Sequence, residues 1–451
     1  MELAFLLLLF VLEIALTIYT VMDGRDKRKW YTRRMFMRIA EMVSFLLFTL
    51  LPGVNTGFRF ALYTVLLAIR MLLAAIVWLC KRGKAAGTLG AGGLIWRLLG
   101  SMALLFLAMI PAFLFSGYDG LETTGEYDVK LAQAILVDDS RTENFEQDGS
   151  NREVPVYLYY PDTESGKFPL VLFSHGAFGY YQSNTSTYME LASHGYVVVS
   201  LDHPYHSFFT KDTDGKTILA DKGFLEEVQK VDTDSVPENE ILAISSKWLS
   251  VRTEDMSFVL DTIKDTAGDG ALTEAWHIAE QEESAEVLHA LSLVECEKIG
   301  LMGHSLGGAA SVSLGRARDD IEAVIDLDGT MLGEELAFED GRYVFIEEPY
   351  PVPLLSIDNE EHHKASEEGG NGYVNVFVLE NALDGNNTWF KGSGHMNFTD
   401  LPLFAPPLAS LLGTGSIDSE SCVRQMNQIV LQFYDCYLKG EGELALQERY
   451  E

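Results

Sequence analysis

Between two glycines in Gly303-His304-Ser305-Leu306-Gly307-Gly308 stands a serine, directly after the apolar run Lys298-Ile299-Gly300-Leu301-Met302. An apolar strand that ends in G-x-S-x-G and continues as a helix makes a sharp turn, which lifts the serine hydroxyl clear of the sheet edge. A side chain at Gly303 or Gly307 would collide with the crossing backbone, so both glycines are steric requirements. A serine hydroxyl attacks a carbonyl only when a base takes its proton and a third group holds that base in one tautomer. The chemistry implied is acyl transfer, with an acid and then a histidine expected after Ser305.

Three histidines follow Ser305. His395 lies in the glycine-flanked loop Lys391-Gly392-Ser393-Gly394-His395-Met396-Asn397-Phe398, just past the last expected strand, where the base should be. His362 and His363 sit among Glu360, Glu361 and Lys364 and read as a solvated surface. Asp326, Asp328 and Asp358 each end an expected strand; Asp326 alternates with Leu327 and reads as structural, while spacing does not separate Asp328 from Asp358 as the acid. The developing oxyanion needs two backbone amides. One should come from Leu306, the other from the loop His175-Gly176-Ala177-Phe178-Gly179, where Ala177 supplies the amide and His175 shapes the turn. Such a set requires no metal and no organic cofactor. Asp212-Thr213-Asp214-Gly215 lacks the further ligands of a calcium loop and reads as a turn.

These residues need a sheet to hold them. Short β-rich runs, Val154 to Tyr160, Leu170 to Ser174, Val197 to Asp202, Ile299 to Gly303, Ala323 to Leu327, Leu354 to Ile357 and Val374 to Leu379, alternate with helical patterns. The helices are Tyr188 to His194, Glu240 to Asp265, Leu306 to Arg318 and Ser419 to Leu438. Continuously apolar strands between helices predict a three-layer α/β domain around a mostly parallel sheet. Tyr118 to Glu153 reads as a linker or first edge strand, and the long stretches Ser207 to Asn239 and Ala267 to Cys296 as decoration or a lid.

The first 117 residues are different in kind. Leu3 to Met22, Met37 to Val54, Phe58 to Cys80 and Leu94 to Ser116 are candidate spans for a hydrocarbon core of roughly 30 Å. Met37 to Val54 is the weakest, because Arg38 and Glu41 fall near its start; Glu13 and Arg70, mid-span, are expected to pair. Two domains follow, a transmembrane helical domain over 1–117 and a catalytic domain over 118–451. Arg25, Lys27, Arg28, Lys29, Arg33, Arg34 and Arg38 in one loop, and Lys81, Arg82 and Lys84 in another, belong inside; the turn between holds only Arg59. Four spans then place the catalytic domain on the extracytoplasmic side of a cell membrane. The first 117 residues carry thirteen Lys and Arg against five Asp and Glu, the remainder twenty against sixty-one. So acidic a surface repels phosphate backbones, which excludes nucleic acid as a partner of the larger part. Cys80, Cys296, Cys422 and Cys436 show neither a C-x-x-C pair nor metal-ligand spacing.

The combination Phe173-Ser174-His175-Gly176, Leu191-Ala192-Ser193-His194-Gly195-Tyr196, Asp202-His203-Pro204, Gly303 to Gly308, Leu327-Asp328-Gly329 and Gly392 to Phe398 resembles the platelet-activating factor acetylhydrolase family of plasma and type II kind. The resemblance runs from about Val154 to Tyr437 and implies an α/β-hydrolase fold. It makes Ser305 the nucleophile, Asp328 the acid, His395 the base, and the amides of Ala177 and Leu306 the oxyanion donors. Met396 and Gly329-Thr330 depart from the family pattern beside the acyl pocket. Phe178, Tyr180, Tyr181, Trp389 and Phe398 flank the expected site and are candidates to line that pocket or belong to the core.

The first expectation is a membrane-anchored serine carboxylic ester hydrolase acting through a covalent acyl-enzyme on lipid-like or short-acyl esters. The alternatives are an acyltransferase with the same triad, and a non-catalytic membrane protein whose hydrolase-like domain only binds.

Overall fold

The structure is a computed structural model and describes all residues except 52–53, 55–56, 82–86, 234 and 279–280. Arg82 and Lys84 of the second basic loop therefore lie outside the described residues. The chain forms two compact units, one of Met1–Asp119 with Leu403–Ala409, the other of Gly120–Pro402 with Ser410–Glu451.

The helical unit contains α1 (Glu2–Met22), α2 (Lys27–Thr49), α3 (Ala61–Lys81) and α4 (Ala91–Leu114). Among the described residues three stretches are long and apolar enough to cross a membrane: Glu2–Met22, Phe58–Lys81 and Ala91–Leu114. α2 is too polar to be counted with them, and it starts ten residues before the expected span, because Asp26 caps it by accepting the Lys29 N–H at 2.8 Å. It nevertheless runs from one end of the unit to the other. Arg59 donates to the Glu2 carboxylate and to the Phe115 carbonyl, both at 2.8 Å, so the starts of α1 and α3 and the end of α4 share one end. The Leu89 N–H donates to the Arg25 carbonyl at 2.8 Å, which puts the α1–α2 turn beside the start of α4 at the other end.

An aromatic core fills one half of this unit: the Phe5 ring stacks on Phe48 at 4.4 Å, and Tyr63 meets Phe45 edge-on at 4.9 Å. Further along, the buried Glu13 carboxylate accepts from Arg38 at 2.5 Å, from Ser101 at 2.5 Å and from Arg70, while Arg38 also bonds Glu41. The expected Glu13 to Arg70 contact is present. Arg38 and Glu41, which weaken α2 as a span by sequence, are the residues that complete the cluster. The segment Leu403–Ala409, which the sequence does not suggest belongs here, is tied in by the Ser116 N–H donating to the Phe404 carbonyl at 2.8 Å. Its Phe404 ring lies 5.0 Å from Phe115 and 5.9 Å from Phe58.

The second unit is built on one ten-stranded sheet. Its order is Arg449–Tyr450, Gly385–Phe390, Leu354–Asp358, Ala323–Leu327, Val294–His304, Phe168–Ser174, Val197–Leu201, Asn151–Pro161, Val129–Thr142, Trp276–His277. The first seven run parallel and the last three add antiparallel pairs. Alternate residues of a central strand face opposite layers. Leu170 and Leu172 join a core with Leu306, Ala309 and Val312 of helix Leu306–Ala317 and with Met256 and Val259 of helix Glu238–Asp269. Phe173 points the other way, its ring 4.9 Å from Tyr188 on helix Thr185–Ser193.

One segment differs from the expectation. Val374 to Leu379, read as a strand, is part of helix Val374–Asn381, whose buried residues Val374 and Val378 are one turn apart; burial of one helical face overrides the strand preference of valine. The strand that precedes His395 is instead the polar Gly385–Phe390, in which Thr388 and Phe390 are buried and the alternate residues are not. Tyr118 to Glu153 holds a full strand, Val129–Thr142, paired antiparallel with Asn151–Pro161. All four cysteines are free.

Replacing Glu13 by alanine leaves Arg38 and Arg70 buried with Glu41 as their one remaining shared carboxylate, and is expected to cost the helical unit about 3 kcal/mol. Denaturation of the full chain in detergent measures this, and wild-type stability in Glu13→Ala would contradict it.

Candidate active site

Ser305 is the hinge between strand Val294–His304 and helix Leu306–Ala317. Its backbone is left-handed, φ 55° and ψ −125°, a conformation strained for any residue with a Cβ. Its own N–H, donating to the Leu327 carbonyl at 2.9 Å, helps hold it there. A Cβ at Gly303 would overlap the Gly307 backbone, and one at Gly307 the Ser174 carbonyl, so the two glycines let strand and helix cross at that turn.

Asp328 follows the neighbouring strand and is also left-handed, φ 56°, with its N–H on the Ile357 carbonyl at 2.9 Å. Its carboxylate is fully buried. One oxygen accepts the Asn359 N–H at 2.7 Å; the other accepts Asn359 Nδ2 at 2.6 Å and His395 Nδ1 at 2.6 Å. Burial opposes its charge, but attraction to His362 and His395 outweighs that and holds the acid below its ordinary pKa. Asp358 is committed elsewhere, accepting from Ser356 Oγ at 2.8 Å and Asn387 Nδ2 at 2.7 Å. Asp326 accepts the Gly329 N–H at 3.1 Å beneath the helix start. The carboxylate brought to His395 is therefore that of Asp328.

His395 opens a short turn, His395–Phe398, whose loop is cross-tied: Asn397 Oδ1 accepts the N–H groups of Gly394 at 2.9 Å and Gly415 at 2.8 Å. With Nδ1 on Asp328, its Nε2 is the free basic nitrogen. The His395 carbonyl accepts from Nε2 of His304, the residue before Ser305, at 3.1 Å, and the two rings lie 4.5 Å apart. Burial and the neighbouring His395 push the His304 pKa down to about 3, so His304 is a neutral donor that ties the His395 loop to the strand before Ser305.

On the other side of Ser305 lies the loop after strand Phe168–Ser174. Among the described residues neither the Ala177 N–H nor the Leu306 N–H has a partner, which leaves two donors for an incoming oxygen. The His175 side chain is bonded inward, Nε2 to Ser207 Oγ at 2.8 Å and Nδ1 to the Gly176 carbonyl at 2.7 Å, as a turn-shaping residue. The aromatic candidates divide. Phe398 is fully buried with its ring against Phe390, which makes it core, and Trp389 stacks on His363 at 4.0 Å. Phe178 is half-buried with φ 59° and packs on Phe224; Tyr180 lies against Tyr181 and Phe209.

Sequence reasoning missed three contributors. Asn359 caps the next helix and binds both oxygens of Asp328, and His304 sits unremarked inside the serine motif. His362, read as solvated surface, instead brings Nδ1 to 3.1 Å from Asp328, outside hydrogen-bonding direction but close enough for a charge pair. The signal was its position, three residues after Asn359, where a helix side chain turns back toward the strand end.

A buried carboxylate, a histidine held in one tautomer, a serine on a strained strand-to-helix turn and two idle amides on a mostly parallel sheet define the α/β-hydrolase class. The fold is shared with the ferulic acid esterase from Streptomyces cinnamoneus, at a TM-score of 0.51 and 20% identity over 71% of this chain and 93% of that one. The family model for platelet-activating factor acetylhydrolase, isoform II, matches residues 139–445, and the chain belongs to that family. It is 25% identical over 283 residues to the platelet-activating factor acetylhydrolase of Canis lupus familiaris and 24% identical over 284 residues to that of Bos taurus. Each match covers 60% of this chain and 57% of the relative, so the chain spans rather more than half the length of these relatives.

Burial disfavours a charged His362, but attraction to Asp328, Asp358 and Asp326 raises its pKa to about 9. A pKa raised on folding gives stability that is complete below the unfolded value of about 6.5 and is lost as pH rises through about 9. Unfolding of His362→Gln against wild type should show a deficit of roughly 1–3 kcal/mol at pH 6 that vanishes by about pH 10. A deficit independent of pH would rule out the charge pair.

Proposed function

We propose that this chain is a serine carboxylic ester hydrolase, held at a membrane by its helical unit and acting through a covalent acyl-enzyme on lipid-like or short-acyl esters. The observation that carries the reading is the 2.6 Å bond between Asp328 and His395 Nδ1, on a loop whose carbonyl is bonded to the residue before Ser305. Family membership supports the same activity.

In the proposed reaction Ser305 Oγ attacks the ester carbonyl carbon while its proton passes to His395 Nε2. The oxyanion that forms accepts hydrogen bonds from Ala177 N–H and Leu306 N–H. Asp328 balances the imidazolium and keeps the ring's other nitrogen protonated. The intermediate collapses, the C–O bond to the alcohol breaks, and His395 gives that alcohol its proton. Water then attacks the acyl-enzyme, with His395 taking one proton and returning it to Ser305 Oγ as the carboxylic acid leaves. Every proton is accounted for by one imidazole, so no step calls for a cofactor.

Anchoring is supported by the three apolar stretches and the full length of α2. Arg25, Lys27, Arg28, Lys29, Arg33 and Lys81 cluster at one end, opposite that where α4 ends. If that basic end is cytoplasmic, the catalytic domain, taken as beginning near residue 118, follows α4 on the extracytoplasmic side. There it would meet amphiphilic esters at the bilayer surface.

Hydrolysis of p-nitrophenyl acetate by the full chain in detergent tests the chemistry. Ser305→Ala is expected to lower kcat by at least about 10³-fold and to abolish labelling by a fluorophosphonate. A wild-type chain without esterase activity or label, or a fully active Ser305→Ala, would remove the proposal.

A further inference from the structure

The middle of helix Glu238–Asp269 places a fully buried arginine, Arg252, behind the loop that carries Ala177. Among the described residues no carboxylate pairs with it, although Asp255 stands one turn further along the same helix. Asp255 is taken by Arg152 at 2.6 Å, by Arg141 at 3.0 Å and by His203 at 3.0 Å. A guanidinium buried without a counter-ion is expensive, and stability alone would favour an apolar side chain there. Its terminal nitrogens donate to two backbone carbonyls and a hydroxyl instead: Nη1 to the His175 carbonyl and to Ser174 Oγ at 3.3 Å, and Nη2 to the Gly176 carbonyl at 3.3 Å.

The Gly176 carbonyl is the informative partner. In a planar trans peptide the carbonyl of one residue and the N–H of the next point in opposite directions. Holding the Gly176 oxygen toward the interior therefore aims the Ala177 N–H outward, away from Arg252. The same oxygen receives two further donors, the Gly179 N–H at 3.0 Å and the His175 ring. The His203 N–H reaches His175 Nε2 at 3.3 Å, which makes that nitrogen the acceptor and leaves Nδ1 protonated to donate to Gly176 at 2.7 Å. Burial and the Arg252 charge keep His175 well below its usual pKa, consistent with this neutral tautomer. A peptide with three donors on its oxygen, one of them the cationic Arg252, is fixed in orientation and polarised, which makes its N–H partner a stronger donor.

We propose that Arg252 is a positioning residue for ester hydrolysis: acting through the Gly176 peptide, it locks and polarises the Ala177 N–H that receives the substrate oxyanion. The inference rests on the reading of Ser305 as nucleophile and Ala177 as oxyanion donor. Its action falls on the transition state, because an ester carbonyl gains full negative charge only there.

The test uses the full chain with p-nitrophenyl acetate, in Arg252→Met, Arg252→Lys and Ser305→Ala, with rates divided by active sites counted by fluorophosphonate titration. Counting sites removes any loss that comes from misfolded protein. The expected result for Arg252→Met is a fall of about 10²-fold in kcat per site with KM within about threefold of wild type. Affinity for a trifluoromethyl ketone, which forms a tetrahedral oxyanion on the serine, should fall in parallel. Arg252→Lys, which keeps the charge but not the fork, should fall in between. Per-site kcat within threefold of wild type in both variants, or a fall in kcat with unchanged ketone affinity, overturns the inference. A fully active Ser305→Ala would instead remove the nucleophile assignment beneath it.

Discussion

The site depends on keeping one carboxylate ionised although it is buried from solvent. Asp328 is fully buried at a strand end, and its charge persists because His362 and His395 attract it, while Asn359 presents two N–H donors and His395 a third, all at 2.6–2.7 Å. Each donor has its own structural cause. Asn359 is there because it begins the helix after strand Leu354–Asp358, and His395 because its loop is tied by Asn397. Asp328 itself bends into the left-handed region to face both, so the arrangement relies on two adjacent strands ending at matching heights.

The catalytic candidates were legible because their signals are local. G-x-S-x-G after an apolar strand points to Ser305, and the glycines flanking His395 mark a loop just past a strand. Choosing Asp328 over Asp358 was not a matter of spacing, since both end parallel strands side by side; it turns on Ser356 and Asn387 already occupying Asp358. The family resemblance made the same choice from outside the physics. The supporting residues were harder to read: Arg252 and Asn359 meet partners far away in the chain of which their neighbours in sequence say nothing, and only the spacing of His362 from Asn359 hints at its direction. Val374 to Leu379 misled because valines one helical turn apart and valines along a strand look alike in a short run.

The helical unit shows the complementary case, in which a local liability is resolved by distant contacts. Arg38 and Glu41 make α2 a poor membrane span when read alone. Against Glu13 of α1, Arg70 of α3 and Ser101 of α4, the same charges supply one polar joint to which all four helices contribute. Leu and Phe slide past one another with little preference for register, whereas one shared carboxylate fixes the height at which all four helices meet.

The peptide Leu403–Ala409 carries a practical lesson for anyone wishing to study the hydrolase half in isolation. A protein shortened to start at Gly120 keeps these residues while discarding Phe58 and Phe115, the rings against which Phe404 rests. Such a fragment would display a greasy tab shortly after His395, an uncovered apolar surface that favours self-association in plain buffer. Trimming the amino terminus therefore has to be matched by a polar replacement of that tab.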